Sequence, residues 1–321
     1  MGNCSRSVAM GDPQDLADIF LRVEALPKEL ITKWLAQTAR WDNTAHYLKH
    51  LDQDLAMGPN VAALLGHSAL RCKVMGLERS LNEHATPQEI EEMRILAEAA
   101  LKAGFLGISI DMIPWHMVAG RFAGRTLPSQ HASMDEYRML AQVCADADGI
   151  FQLTPNPQNP MTGFDIIALL RTKGKNGNRL RTTILTAIDS ARQRLFWRAF
   201  SLFLFFVNTV LKCNARFQTI TEPFRVYSDG PITTLFEEFS TGVELNNLET
   251  RSERLKLWRE PGFKQRFKTE WVVGKHATSP RDFGLIRVVS CPQKQWIGKT
   301  IHDVAALWGK TPIDAFADLL E

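Results

Sequence analysis

Residues 86–110 read TPQEIEEMRILAEAALKAGFLGISI, and this stretch decides the fold. Thr86 followed by Pro87, with Glu89 three positions on, is a capping box with proline at the first helical position. Apolar side chains at Ile90, Met93, Leu96, Ala97, Ala100 and Leu101 recur at helical spacing. Gly104 stops the helix, because glycine enters the left-handed C-cap at no steric cost. Residues 105–110 then read as a short buried strand.

The same unit recurs. Ser133 and Glu136 cap a helix that carries Tyr137, Leu140, Ala141 and Cys144, Gly149 ends it, and residues 150–153 form the next strand. A third helix near 164–171 leads to a strand at 182–188, and a long helix over 190–211 leads to one at 215–220. Upstream, 61–65 is a further strand candidate, preceded by helical patterns within 14–40. Strands alternating with helices predict an α/β fold on a parallel sheet, open or closed. After Glu222 the chain becomes charged, rich in tryptophan and punctuated by prolines, with short helices expected near 251–258, 300–307 and from Thr311 onward. The expected division is 1–222 for the βα repeats and 223–321 for a C-terminal part of the same domain. Both ends read as cut from a larger domain.

Composition narrows the class. Of 321 residues, 45% are hydrophobic and 23% charged, an ordinary globular balance. Thirty-eight basic against 35 acidic residues give a net charge of +3, too weak and dispersed for nucleic acid. Cys4, Cys72, Cys144, Cys213 and Cys291 form no disulfide framework or zinc-knuckle spacing, which points to a reducing compartment. No apolar leader follows Met1, so a cytoplasmic location is expected and no membrane partner. The longest apolar run, 199–211, is shorter than the ~20 residues a bilayer requires and reads as a buried helix.

In a parallel α/β fold, chemistry gathers at the carboxyl ends of the strands. Those ends carry His67, Asp111, Gln152 with Thr154, Asp189, and Thr219 with Glu222. His67, Asp111 and Asp189 are the candidate catalytic groups, against the competing reading that polar strand ends merely cap turns. His67 is the better placed of these, because Gly66 beside it allows close approach. His46 and His50 share a helix face without the glutamate of a metalloprotease motif, and His84, His116, His131, His276 and His302 have no partner at metal spacing. Neither a phosphate loop nor a nucleophile elbow is present.

Several stretches together resemble amidohydrolase family 3, the N-acyl-D-amino-acid deacylases. Gly2-Asn3-Cys4-Ser5 is similar to that family's Gly-Asn-Cys-Gly turn. Gly66-His67-Ser68-Ala69-Leu70-Arg71 with Met75-Gly76 resembles its Gly-His-x-x-Leu-Arg…Met-Gly segment. The run from Ala85 to Ser109, Arg254-Leu255, Trp258-Arg259, Pro261-Gly262-Phe263 and Gly298-Lys299-Thr300-Ile301 extend the likeness over nearly the whole chain. The resemblance implies an incomplete or distorted (β/α)8 TIM-type barrel, zinc, and hydrolysis of a small N-acyl amide such as an N-acyl-D-amino acid.

Of the metal ligands that the resemblance implies, only Cys4 is matched. The chain has no His-x-His pair, Thr154 stands where one family histidine would fall, Thr186 or Asp189 where the next would, and the family's catalytic aspartate would lie beyond Glu321. Two readings follow. One is an amidohydrolase-like chain, inactive or metal-free for want of ligands. The other is a catalytically dead barrel fragment with a binding or scaffold role, self-associating through open sheet edges.

Overall fold

The computed structural model describes residues 2–22, 28–38, 41, 43–156, 159, 161–185, 195–218, 225–228, 230, 233, 236–273 and 281–320. The capping box forms as read. The Thr86 hydroxyl oxygen accepts the Glu89 amide, and the Glu89 carboxylate accepts the Thr86 amide at 2.8 Å. Gly104 closes that helix in the left-handed region, at φ 119°.

The elements run α1 (Pro13–Leu21), α2 (Lys28–Thr38), α3 (Thr44–Gln53), β1 (Leu64–Gly66), α4 (His67–Met75), α5 (Leu77–Ser80), α6 (Pro87–Ala103) and β2 (Gly107–Asp111). They continue with α7 (Met134–Asp146), β3 (Ile150–Thr154), α8 (Thr162–Leu170), β4 (Arg181–Ile184), α9 (Phe196–Thr209) and β5 (Asn214–Phe217). All five strands are parallel and lie in the order β1-β2-β3-β4-β5. Helical crossovers between strands in sequential order are the repeat of a βα barrel wall. The expected incomplete barrel is therefore five consecutive strands, with β1 and β5 at the edges among the described residues.

Alternation along the strands gives the sheet two unlike faces. Leu65, Ile108, Ile110, Phe151, Leu153, Ile184 and Ala215 are buried with Met93, Ala97 and Ala100 of α6 and Tyr137, Leu140 and Ala141 of α7. The opposite face carries Ser109, Asp111, Gln152, Thr154 and Thr183, with Ser109 abreast of Gln152, Asp111 abreast of Thr154, and Gln152 abreast of Thr183. Buried polar side chains demand partners, so this second face dictates what can lie against it.

One expectation is corrected. The apolar run 199–211 falls on α9, which buries Val207 but leaves Leu202 69% and Phe205 64% exposed, so this helix is only half buried. No helix among the described residues is long and apolar enough to cross a membrane.

The chain divides into two compact units, one of 1–189 with 195–226 and the other of 227–321 with 190–194. The second holds α10 (Ser240–Asn246), α11 (Arg251–Trp258), α12 (Pro261–Val273), α13 (Ile301–Trp308) and α14 (Pro312–Leu320) around an aromatic core that includes Phe236, Trp258, Phe267 and Phe316.

Candidate metal centre

Asn3, Cys4, Ser5 and Arg6 form a tight turn against the polar face of the sheet. The Arg6 amide donates to the Asn3 carbonyl at 3.1 Å, and the two central residues have positive φ, 49° at Cys4 and 63° at Ser5. A left-handed L-residue costs about 1–2 kcal/mol, so the surroundings must hold this turn. They do so through the sheet's polar side chains. The Cys4 amide donates to Gln152 Oε1 at 3.1 Å, and Gln152 Nε2 donates to Asn3 Oδ1 at 3.0 Å. The Ser5 amide donates to Ser109 Oγ at 3.2 Å, and Ser109 Oγ donates to the Gly2 carbonyl.

Ser5 stands where the family turn has glycine. Its hydroxyl lies 2.7 Å from Ser68 Oγ, and the Ser68 amide donates to the Ser5 carbonyl at 2.9 Å. A bond to α4 thus offsets the lost freedom of glycine. Gly66 is where the turn's backbone comes close, because a Cβ there would lie 2.5 Å from the Ser5 carbonyl oxygen.

The turn brings Cys4 to the carboxyl end of β2. Ligand atoms of Cys4, Asp111 and His116 all lie within 4.8 Å of one another. Asp111 is fully buried, the His116 side chain is 12% exposed, and His116 Nδ1 lies 2.6 Å from Asp111 Oδ2. The Ile113 amide donates to Asp111 Oδ1 at 2.8 Å, which fixes the carboxylate's rotation. Thiolate, imidazole and carboxylate are the donors that zinc takes, and three protein ligands are the complement of a site with an open position. The residues present therefore fit the metal that the family resemblance implies.

This corrects the reading that His116 lacks a partner at metal spacing. Its partner is Asp111, five positions back, because the chain leaves β2 and turns at once. A search for His-x-His or His-x3-His spacing misses such a pair. The carboxylate with a histidine just past a strand end was the available signal.

Thr154, abreast of Asp111, is fully buried, and its Oγ1 has no hydrogen-bond partner among the described residues. An unsatisfied buried hydroxyl costs about 1–3 kcal/mol. Thr154→Val, nearly isosteric, should therefore raise the denaturation midpoint by about 1 kcal/mol worth of stability, read by chemical denaturation. A loss of stability would mean that the hydroxyl is satisfied in the native protein.

His67 lies in an adjoining network. Its side chain is fully buried, with Nε2 2.6 Å from Glu136 Oε1 and Nδ1 3.0 Å from Ser129 Oγ. Arg71 Nη1 lies 2.5 Å from Glu136 Oε2, and both side chains are fully buried. Ser133 accepts the Glu136 amide as a helix cap, but the Glu136 carboxylate turns inward instead of completing a capping box. Sequence reasoning missed both Glu136 and Ser129, because a cap pattern and a Pro-Ser turn carry no mark of burial. Asp189, like Thr186, lies outside the described residues.

Burial holds His67 below its ordinary pKa, with the Arg71 charge in support and against the pull of Glu136. Burial raises Glu136, but the hydrogen bond from His67 and the charge and bond of Arg71 outweigh it and leave the carboxyl below its usual range. The network is therefore Arg71 cation, Glu136 anion and neutral His67. Nε2–H donates to Glu136, and Nδ1 accepts from Ser129.

Because the folded pKa of His67 is depressed, the unfolded chain binds the extra proton first as pH falls. Its contribution to stability is whole above about pH 6.5 and is lost below that. Urea midpoints should fall from about pH 7 to about pH 5, and His67→Gln should flatten that slope. An unchanged slope in the variant would contradict the assignment. Cys72 and Cys144, by contrast, are thiols pushed up to about 12 by burial, and neither is poised as a ligand.

No protein-family model matches the chain. Uncharacterized proteins of Mycobacterium tuberculosis and Mycobacterium bovis are each 35% identical to it over 326 aligned residues, covering 100% of this chain and 53% of their own. The chain thus spans about half the length of the curated relatives it matches. Among solved structures, an N-acyl-D-glutamate deacylase from Bordetella bronchiseptica, complexed with zinc and a phosphonate inhibitor, aligns at TM-score 0.49 and 18% identity. That alignment covers 99% of this chain and 52% of that one. A D-aminoacylase, described as defining a subset of amidohydrolases, aligns at TM-score 0.47 and 16% identity, again over 99% and 52% of the two chains.

Proposed function

We propose that this chain carries the metal-binding part of an amidohydrolase that cleaves the C–N bond of a small N-acyl amide, such as an N-acyl-D-amino acid. The observation that carries the reading is the meeting of Cys4, Asp111 and His116 at the carboxyl edge of the parallel sheet. Cys4 sits in the turn that resembles the family's ligand turn, and the strained φ angles at Cys4 and Ser5 are of the kind that cluster at functional sites.

Cys4, Asp111 and His116 hold the zinc in this reading. When bound, zinc supplies Lewis acidity to a carbonyl and makes water a nucleophile near neutral pH. The chain's own groups do the rest. Asp111 Oδ2 and His116 Nδ1 share one hydrogen bond and keep each other oriented. Gln152 and Ser109 hold the cysteine turn against the sheet. Asp189 stays a candidate catalytic group from the sequence pattern alone.

The test is turnover of N-acetyl-D-amino acids by the purified chain, with and without zinc and a chelator. Zinc-dependent hydrolysis supports the proposal. A zinc-loaded chain without hydrolysis limits it to metal binding. A metal-free chain that associates through the β1 and β5 edges supports the scaffold reading instead.

A further inference from the structure

We propose that Ser129 is the positioning residue that sets Asp111 against Cys4. This rests on the metal reading above and adds the device that spaces two of its ligands. Strand β1 ends at Gly66, abreast of Ser109, and the chain turns into α4. The Asp111 amide, two residues farther along β2, faces the β1 side with no strand left to receive it. Ser129 Oγ takes that place, accepting the amide at 2.9 Å. The Ser129 amide donates to Ser68 Oγ at 3.1 Å, and Ser68 Oγ lies 2.7 Å from Ser5 Oγ in the cysteine turn. One residue therefore holds Asp111 through its side chain and the Cys4 turn through its backbone.

Ser129 is itself held from behind. Its hydroxyl lies 3.0 Å from His67 Nδ1, His67 is held by Glu136, and Glu136 by Arg71. The Tyr137 hydroxyl donates to the Ser129 carbonyl at 2.5 Å. Ser5, His67, Ser68, Arg71, Asp111, Ser129 and Glu136 are all buried to 0% exposure, so water does not replace any of these bonds. With His67 neutral on Nδ1, the Ser129 proton points to the ring and its oxygen lone pair to the Asp111 amide. The arrangement has one sense. His67 acts on the candidate site through Ser129.

The test uses the full chain and two readouts: zinc affinity by chelator competition, and residue-resolved amide exchange. Ser129→Ala should weaken zinc binding by about ten- to a hundredfold, the usual cost of removing an outer partner of a ligand. It should also speed exchange of the Asp111 amide while leaving Ile110 and Leu153 unchanged. Ser68→Ala, which cuts only the arm to the turn, should weaken zinc and speed the Ser129 amide while sparing that of Asp111. Met93→Ala, a cavity in the apolar core, should lower stability without moving zinc affinity.

Unchanged zinc affinity in Ser129→Ala, or an unchanged Asp111 amide, overturns the proposal. If Ser129→Ala does not fold, Ser68→Ala decides by the same two readouts. If the wild-type chain takes up no zinc, the metal reading fails on its own. The exchange rates of Asp111 and Ser129 then decide whether Ser129 holds both arms.

Discussion

Cys4→Ala should lose the zinc that the wild-type chain takes up, from about one equivalent to none, as read by metal analysis after dialysis. Three donors converge at this site, and cysteine supplies the thiolate, the strongest of them for zinc. Removing it leaves a carboxylate and an imidazole already bonded to each other. Two such ligands do not hold zinc against dialysis. The substitution is clean in the backbone, because alanine at φ 49° bears the same left-handed cost as cysteine. Unfolding midpoints of the metal-free proteins should therefore differ only by the modest cost of truncating a buried side chain, which separates loss of a ligand from loss of the turn. Cys72→Ala and Cys144→Ala should keep the metal, since both thiols are buried away from the turn. Full zinc occupancy in Cys4→Ala would place the metal elsewhere.

The largest loss of stability should come from Glu136→Ala. Glu136 and Arg71 are both fully buried and paired at 2.5 Å, and His67 shares the other carboxylate oxygen. Truncation leaves a guanidinium in the interior with no counter-charge. Breaking one partner of a buried pair costs about 3–5 kcal/mol, enough to unfold a domain of ordinary stability. Glu136→Gln should be milder, because its oxygen still accepts from His67. The exposed pairs that Arg94 makes with Glu91 and Glu98 should be worth little by the same measurement. Equal effects of Glu136→Ala and Arg94→Ala on the urea midpoint would refute this ranking.

The fold was legible because its punctuation is local. Thr86 with Glu89, Gly104, Ser133 and Gly149 marked helix ends and strand starts to within a residue or two, and the recurring unit implied a parallel sheet. Residues 300–307 and the start at Thr311 were equally plain, for the same reason: a cap is read within four residues. The helix at 199–211 was misjudged, because hydrophobicity states what a segment could bury and not what lies beside it.

The candidate site was legible only in part. Cys4 and Asp111 stood out, one by its turn and one by its strand end. His116 did not, because its partnership depends on how the chain leaves β2. His67 drew attention as a polar strand-end residue, but its ring faces Glu136 and Ser129, a contact between residues 62 and 69 positions apart. Such partnerships follow from where the chain places Glu136 of α7 and the turn at Ser129 beside His67 and Arg71 of α4, and no local pattern announces them.

The most direct test is an anomalous difference map, recorded at the zinc edge from crystals of the chain grown with zinc. One peak is expected between Cys4 Sγ, the Asp111 carboxylate and the His116 ring. Zinc bound elsewhere, or no peak at that position at saturating zinc, would contradict it.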